Sequence, residues 1–123
     1  MKNIYTWAAK PAKRTLTVGD LKTSKGKRKF TPVTANSIEE AEAAEKAGFD
    51  MIISNAKNVI SVREGSKNLF LTAALGLNEF VTEEDIMRGA FKALENGADA
   101  VMTPRSMHIC LLYTSPSPRD LWI

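Results

Sequence analysis

Cysteine and histidine are almost absent from this sequence, which has one of each in 123 residues. Cys110 lies in the last fourteen residues, whose sequence is unusual, so disulfide and thiolate-metal chemistry are excluded for the rest of the chain. No stretch approaches the roughly 18 apolar residues that span a bilayer, and the first ten residues lack the apolar core of a secretory signal. We expect a cytoplasmic protein with no membrane partner.

Acidic residues are scarce at the start of the chain. Residues 1–29 contain nine Lys or Arg and the single acid Asp20, whereas residues 30–123 contain eight basic and thirteen acidic residues. The basic run at residues 25–29 has no interleaved aromatics and matches no nucleic-acid motif. We therefore interpret it as solvated and expect no nucleic-acid partner.

The last fourteen residues have an unusual sequence that contains two Ser-Pro pairs. The segment from Cys110 to Asp120 resembles one reading frame of a transposon-end adapter used in sequencing libraries, and the three residues after it would be sample-index bases. A strand followed by a Ser-Pro turn is the alternative interpretation. We expect residues 110–123 to be a non-native tail and exclude them from the fold, as one excludes a fusion scar.

Three helix starts are marked by a hydroxyl residue with an acid three positions later, the spacing of a capping box. They begin at Thr17, Ser37 and Thr82. The first predicts a short helix that ends near Gly26. The second predicts a helix over residues 38–47, and the third a longer helix with apolar residues at helical spacing. One or two helical turns are predicted over residues 59–64.

Short apolar runs separate these helices and predict strands. The four runs are residues 30–35, 51–54, 69–75 and 100–103. Strands that alternate with helices favour parallel β/α units with right-handed crossovers. Pro32 lacks a donor for a β ladder, which is awkward in a central strand.

A short sequence repeat between helix ends and strands, which we call the internal echo, favours a barrel. Ala47-Gly-Phe-Asp50 and Asn96-Gly-Ala-Asp99 each join a helix end to a buried strand, with Gly supplying a positive-φ cap. An open doubly wound sheet remains the alternative. We divide the chain into an N-terminal arm (residues 1–16), a partial barrel (residues 17–109) and the tail. A closed eight-stranded barrel needs about 200 to 250 residues, so the barrel is expected to be incomplete.

Several phrases resemble the ketopantoate (3-methyl-2-oxobutanoate) hydroxymethyltransferase family. The family's first turn is matched by Lys25-Gly-Lys-Arg28, and its first strand by Val33-Thr-Ala35. The phrase before its second strand is matched loosely by Lys46-Ala-Gly-Phe-Asp50, and the phrase before its fourth strand is matched in full by Gly97-Ala-Asp-Ala-Val101. The resemblance implies the N-terminal part of a (β/α)8 TIM barrel, with about four parallel strands. It also implies a homo-oligomer for the full-length protein. These are mainly scaffold phrases, so they support the fold better than the activity.

In that family the reaction transfers a hydroxymethyl group from methylenetetrahydrofolate to 2-oxoisovalerate, in pantothenate biosynthesis, and Mg²⁺ polarises the oxo acid. Two aspartates hold the ion, and a lysine and a glutamate follow the fourth strand. The resemblance places Asn55 and Ala74 at the aspartate positions, and Met102 and Pro104 at those of the lysine and glutamate. All four positions lack the family's charged groups, so we predict no metal site, and the catalytic residues stay unknown.

The candidate site therefore consists of other polar residues near strand ends. For binding a small 2-oxo acid or phosphate they are Thr34, Asn55, Thr72, Thr103 and Arg105, of which Arg105 is suited to clamp a carboxylate or phosphate. Three interpretations stay open: a divergent enzyme, a genuine transferase, and a non-catalytic binding or regulatory homologue. Whether the protein is an enzyme is thus undecided at this point.

Overall fold

The computed structural model describes residues 1–76 and 78–104, and begins with a β-hairpin. Strand β1 (Lys2–Tyr5) pairs antiparallel with β2 (Pro11–Arg14), with Lys2 opposite Arg14. The connection includes Ala9 at a φ of 60°, an unusual conformation for a residue other than glycine. No helix or strand was predicted in residues 1–16, so the hairpin is a new element within the proposed N-terminal arm.

Helices and strands then alternate along the chain. In order they are α1 (Val18–Thr23), β3 (Pro32–Thr34), α2 (Ile38–Ala47), β4 (Met51–Asn55), a 3-10 turn (Ala56–Asn58), α3 (Val59–Gly65), β5 (Phe70–Ala74), α4 (Glu83–Glu95) and β6 (Ala100–Met102). Every helix and strand predicted within the described residues is present. The predicted helix over residues 38–47 has the same bounds as α2.

Strands β3 to β6 form one parallel sheet in sequence order. Val33 pairs with Ile52, Ile52 pairs with Leu71, and Thr72 pairs with Ala100. The predicted α/β class and the parallel order are thus confirmed, and the arrangement is consistent with part of a (β/α) barrel. Pro32 is tolerated because β3 is at one edge of the sheet, where Pro32 is exposed.

The helix ends form as their sequences predict. The side chains of Thr17, Ser37 and Thr82 each accept a hydrogen bond from the backbone N–H three residues on, which satisfies a donor that the helix leaves unpaired. Gly48 and Gly97 follow α2 and α4 with φ of 84° and 116°. Both glycines therefore provide the positive-φ helix caps predicted from the internal echo.

One face of the sheet packs against helices α2, α3 and α4. Ile52, Leu71 and Ala73 project from the strands into this core. The helices contribute buried residues to the same core: Ala41, Ala44, Val59, Val62 and Ala93. Because side chains alternate along a strand, the residues between these strand positions lie on the opposite face, where the candidate site is found.

The two aspartates of the internal echo make the same contact in the fold. Asp50 donates its backbone N–H to Thr31 O at 3.1 Å, and its carboxylate accepts from Thr31 N at 2.9 Å. Asp99 repeats both bonds with Leu71, at 2.8 and 3.1 Å. Each aspartate therefore ties the start of its own strand to the start of the preceding strand, at the amino edge of the sheet.

Within the described ranges, none of the helices combines the length and the apolar character that crossing a membrane would need.

Candidate functional site

The carboxyl edge of the sheet carries two rows of side chains on the face away from the helices. In the first row, Thr34 pairs with Ile53, which pairs with Thr72. In the second row, Asn55 pairs with Ala74, which pairs with Met102. We call the second row the Asn55 row. The carboxyl edge is where barrels of this kind place their chemistry.

The rows bring three of the predicted site residues together. Thr34 is exposed, while Thr72 and Asn55 are half-buried, so a small molecule can reach the polar groups of all three. Met102 at the end of the Asn55 row is 47% exposed. The two rows therefore combine three polar side chains with Ile53, Ala74 and the Met102 thioether, and all six side chains are neutral.

Thr103 is placed differently from these residues. It follows β6 and is 8% exposed, two positions after Val101, which packs against the helical core. Thr103 therefore does not extend the exposed Asn55 row. Arg105, the fifth predicted residue, lies outside the described residues, as does the proposed tail.

Three asparagines form a hydrogen-bonded cluster at the ends of β3 and β4. Asn36 Oδ1 accepts from Asn55 N at 2.9 Å and from Asn58 Nδ2 at 3.1 Å. Asn55 Oδ1 in turn accepts from Lys57 N at 3.1 Å. Asn36 and Asn58 were not predicted as site residues. The signal for Asn36 is its position directly after the Val-Thr-Ala phrase, because that phrase ends a strand at the carboxyl edge of the parallel sheet.

The donor set of the Asn55 row does not fit Mg²⁺. Magnesium binds through carboxylates supplemented by water, whereas Ala74 has no side-chain donor and Met102 offers a soft sulfur atom. The oxygen of Asn55 already caps the following turn. Across the described ranges, no group of three or more His, Cys, Asp or Glu side chains is arranged to hold a metal ion.

Charge is instead concentrated at the opposite, amino edge. Asp99 accepts from Arg14 Nε at 2.9 Å and from Arg63 Nη2 at 3.0 Å, with all three side chains mostly buried. Burial lowers the pKa of Arg63 to about 10, a shift that the attraction of Asp99 opposes and the repulsion of Arg14 adds to. The group is still charged at neutral pH, and its further bonds to the carbonyls of Ser66, Leu69 and Gly97 give it a structural role.

No family model matches this chain. The 3-methyl-2-oxobutanoate hydroxymethyltransferase of Kosmotoga olearia is 34% identical over an alignment of 100 residues, which covers 63% of this chain and 38% of that protein. This match supports the resemblance that the sequence phrases indicate. The chain spans well under half the length of this relative.

Proposed function

We propose that this chain is part of a 3-methyl-2-oxobutanoate hydroxymethyltransferase-like barrel protein that binds a small 2-oxo acid or phosphate without a divalent metal. The observation that carries the proposal is the Asn55 row. It joins the positions that the family resemblance assigns to two metal-binding aspartates and to a lysine, and it holds Asn55, Ala74 and Met102. Because the row contains no charged side chain, a ligand at this edge would be held by the neutral hydrogen-bond donors of Asn55 and of the neighbouring threonines.

Several such donors are available to a ligand. The hydroxyls of Thr34 and Thr72 and the side-chain nitrogen of Asn55 have no hydrogen-bond partner among the described residues. Hydroxyl and amide N–H groups can donate to a carboxylate or phosphate oxygen, in bonds that are stronger than those between two neutral groups. We propose that Arg105 adds the charge that these donors lack.

Two versions of this function differ in whether a reaction follows binding. A divergent enzyme would use other groups to transform its bound acid. A non-catalytic binding or regulatory homologue would only hold it, and the loss of all four charged family positions (Asn55, Ala74, Met102 and Pro104) favours this version. Turnover of a bound oxo acid separates the two.

Binding is tested by NMR titration of the isotope-labelled chain with 2-oxoisovalerate and, separately, with inorganic phosphate, in the presence of EDTA. We expect saturable shifts of the Asn55 and Thr72 amide signals. Thr72→Val should weaken binding about threefold to tenfold, the size of one hydrogen bond. Thr23→Val, on helix α1 and away from the edge, is the matched control. Binding that requires Mg²⁺, or that ignores Thr72→Val, would contradict the proposal.

Catalysis is tested by giving the full-length protein 2-oxoisovalerate, methylenetetrahydrofolate and Mg²⁺. Ketopantoate formation is followed with and without a chelator. We expect no chelator-sensitive turnover, since the Asn55 row offers no carboxylate to the ion. Robust turnover that the chelator abolishes would return the protein to the family's own activity.

A further inference from the structure

A cavity of about 290 Å³ lies at the amino edge of the sheet, on the side opposite the Asn55 row. Its walls come from the N-terminal hairpin, the start of α1, the start of β5 and the segment that joins α4 to β6. Most of the lining is apolar: Ile4, Leu16, Val18, Phe70, Leu94 and Ala98. Its volume is close to the lower limit of ordinary small-molecule sites.

The polar end of this cavity carries a cluster of buried charged side chains. Arg14 and Asp99 line the cavity. Arg63 bonds the same carboxylate and is also attracted by Glu45, so Arg14 shares its only carboxylate partner with a second arginine. Arg14 is only 3% exposed. Its Nε bonds Asp99, and its Nη1 bonds the carbonyls of Lys13 and Lys67. Nη2 has no partner among the described residues.

Nη2 is not among the fully buried side-chain atoms that lack a partner, so solvent reaches it, and an anion that replaced this solvent could accept its N–H in a charge-assisted hydrogen bond. The rim of the cavity is aromatic, with Tyr5 77% and Trp7 56% exposed and Trp7 stacked on Phe91 at 5.7 Å between ring centroids. These rings can cover the apolar body of a ligand while its charged end reaches Arg14.

We propose that this cavity binds a small organic monoanion, a carboxylate with an aromatic or branched apolar body, through Arg14 Nη2. The site is separate from the Asn55 row, because it lies at the opposite edge of the same strands. It does not depend on the proposed function, and a failure of one leaves the other standing.

Benzoate is the probe, and Trp7 is the reporter. Trp122 is the other tryptophan of the sequence, so the chain is used with Trp122→Phe and excited at the red edge of tryptophan absorption. We expect a saturable fluorescence change with a Kd on the order of 1 mM or tighter. Benzyl alcohol and benzamidinium, which have the same ring without the negative charge, should bind at least about tenfold more weakly, as should inorganic phosphate, which lacks the ring.

Two pairs of variants locate the site. Arg14→Gln should weaken benzoate at least about tenfold, whereas Arg28→Gln, which removes the arginine bonded to the other echo aspartate, Asp50, should leave binding unchanged. Val18→Asp places a negative charge at the rim, where a helix N-terminus tolerates it, and should also weaken benzoate relative to Val18→Asn.

The Val18 pair keeps the test decisive if Arg14→Gln does not fold. Equal binding of benzoate and benzyl alcohol would overturn the proposal, because the cavity would then be an apolar pocket without anion preference. The absence of saturable benzoate binding, or equal affinity in Val18→Asp and Val18→Asn, would also overturn it.

Discussion

Introducing carboxylates into the Asn55 row should create a site for a divalent cation. The double variant Asn55→Asp/Ala74→Asp places two carboxylates on paired residues of neighbouring parallel strands, which lie about 4.8 Å apart. The substitution at Asn55 should keep the cap on the following turn, because a carboxylate oxygen can accept from Lys57 N as the amide oxygen does. The change therefore tests the ligand set with little disturbance of the backbone.

The size of the effect follows from this spacing. Two negative charges about 5 Å apart repel by about 1 kcal/mol in water and about 3 kcal/mol at the effective dielectric of a protein surface. The half-buried positions of Asn55 and Ala74 place the cost between these values. Without metal, the double variant should lose about 1 to 3 kcal/mol of unfolding free energy. Mg²⁺ at about one hundred times its Kd should return about 2.7 kcal/mol.

The assay is urea unfolding with EDTA or with Mg²⁺, together with water-proton relaxation to detect bound Mn²⁺. The control variant Asn55→Asp/Ala43→Asp carries the same added charge, but its second carboxylate lies on the exposed surface of α2. We expect Mn²⁺ binding and Mg²⁺ rescue in the paired variant alone. If the unchanged chain bound Mn²⁺ and gained stability from Mg²⁺ as much as the paired variant does, Asn55 and Ala74 would not be the reason that the row lacks a metal site. If the paired variant bound no Mn²⁺, residues 55 and 74 would not be placed to share an ion.

Three further predictions concern stability. Asp99→Asn should cost about 3 to 5 kcal/mol, because it removes the carboxylate that two buried guanidinium groups bond. Asp50→Asn, whose arginine is exposed, should cost about 1 kcal/mol, and equal losses by chemical denaturation would contradict this assignment. A backbone hydrogen bond from the N-cap residue of α4 lowers the pKa of Asp85 below its usual 3.8, so its contribution to stability is present above pH 3.8 and lost as the pH falls through the lowered pKa. The melting temperature of Asp85→Asn should lack that part of the acid dependence, and an unchanged pH profile would show that the cap is unimportant. Gly65→Ala should cost about 1 to 3 kcal/mol despite a helix-propensity gain of about 1 kcal/mol, because the new Cβ would lie 2.3 Å from Ile38 O. Gly19→Ala meets nothing closer than 3.6 Å and should be neutral or stabilising by the same denaturation assay.

The β/α units could be predicted from the sequence because their signals are local. The capping boxes at Thr17 and Thr82 combine a hydroxyl and an acid three residues apart, and the structure forms both. Gly48 and Gly97 similarly mark helix ends in the sequence, because glycine readily adopts the positive φ that both residues have in the structure. The four short apolar runs lie between these signals, so few arrangements other than parallel strands remained.

The hairpin gave no such signal. Its strands contain Lys and Arg instead of an alternating apolar face, and its turn places Ala9, not glycine or asparagine, at positive φ. The pairing of Arg14 with Asp99 joins residues 85 positions apart, and no local pattern records such a contact. The cavity at the amino edge could therefore not be predicted from the sequence, because the residues that line it are brought together only by the fold.

The proximity of some candidate site residues could be predicted, while their role stays a prediction. Parallel strands bring their carboxyl ends to one edge, so Thr34, Asn55 and Thr72 were expected to be neighbours, and the register places them in adjacent rows. The burial of Thr103 depends on how β6 ends against the helices, which the apolar run could not indicate. Asn36 was overlooked because its role arises from a bond to the backbone of Asn55, across two strands.

The matching bonds of Asp50 and Asp99 attach strands β4 and β6 to the strands that precede them. A unit that begins with such an aspartate carries its own attachment to the strand before it, at the end of the sheet remote from the Asn55 row. The segment between Asp50 and Asp99 is thus a natural unit for grafting into a related sheet, because its attachment does not involve side chains at the carboxyl edge.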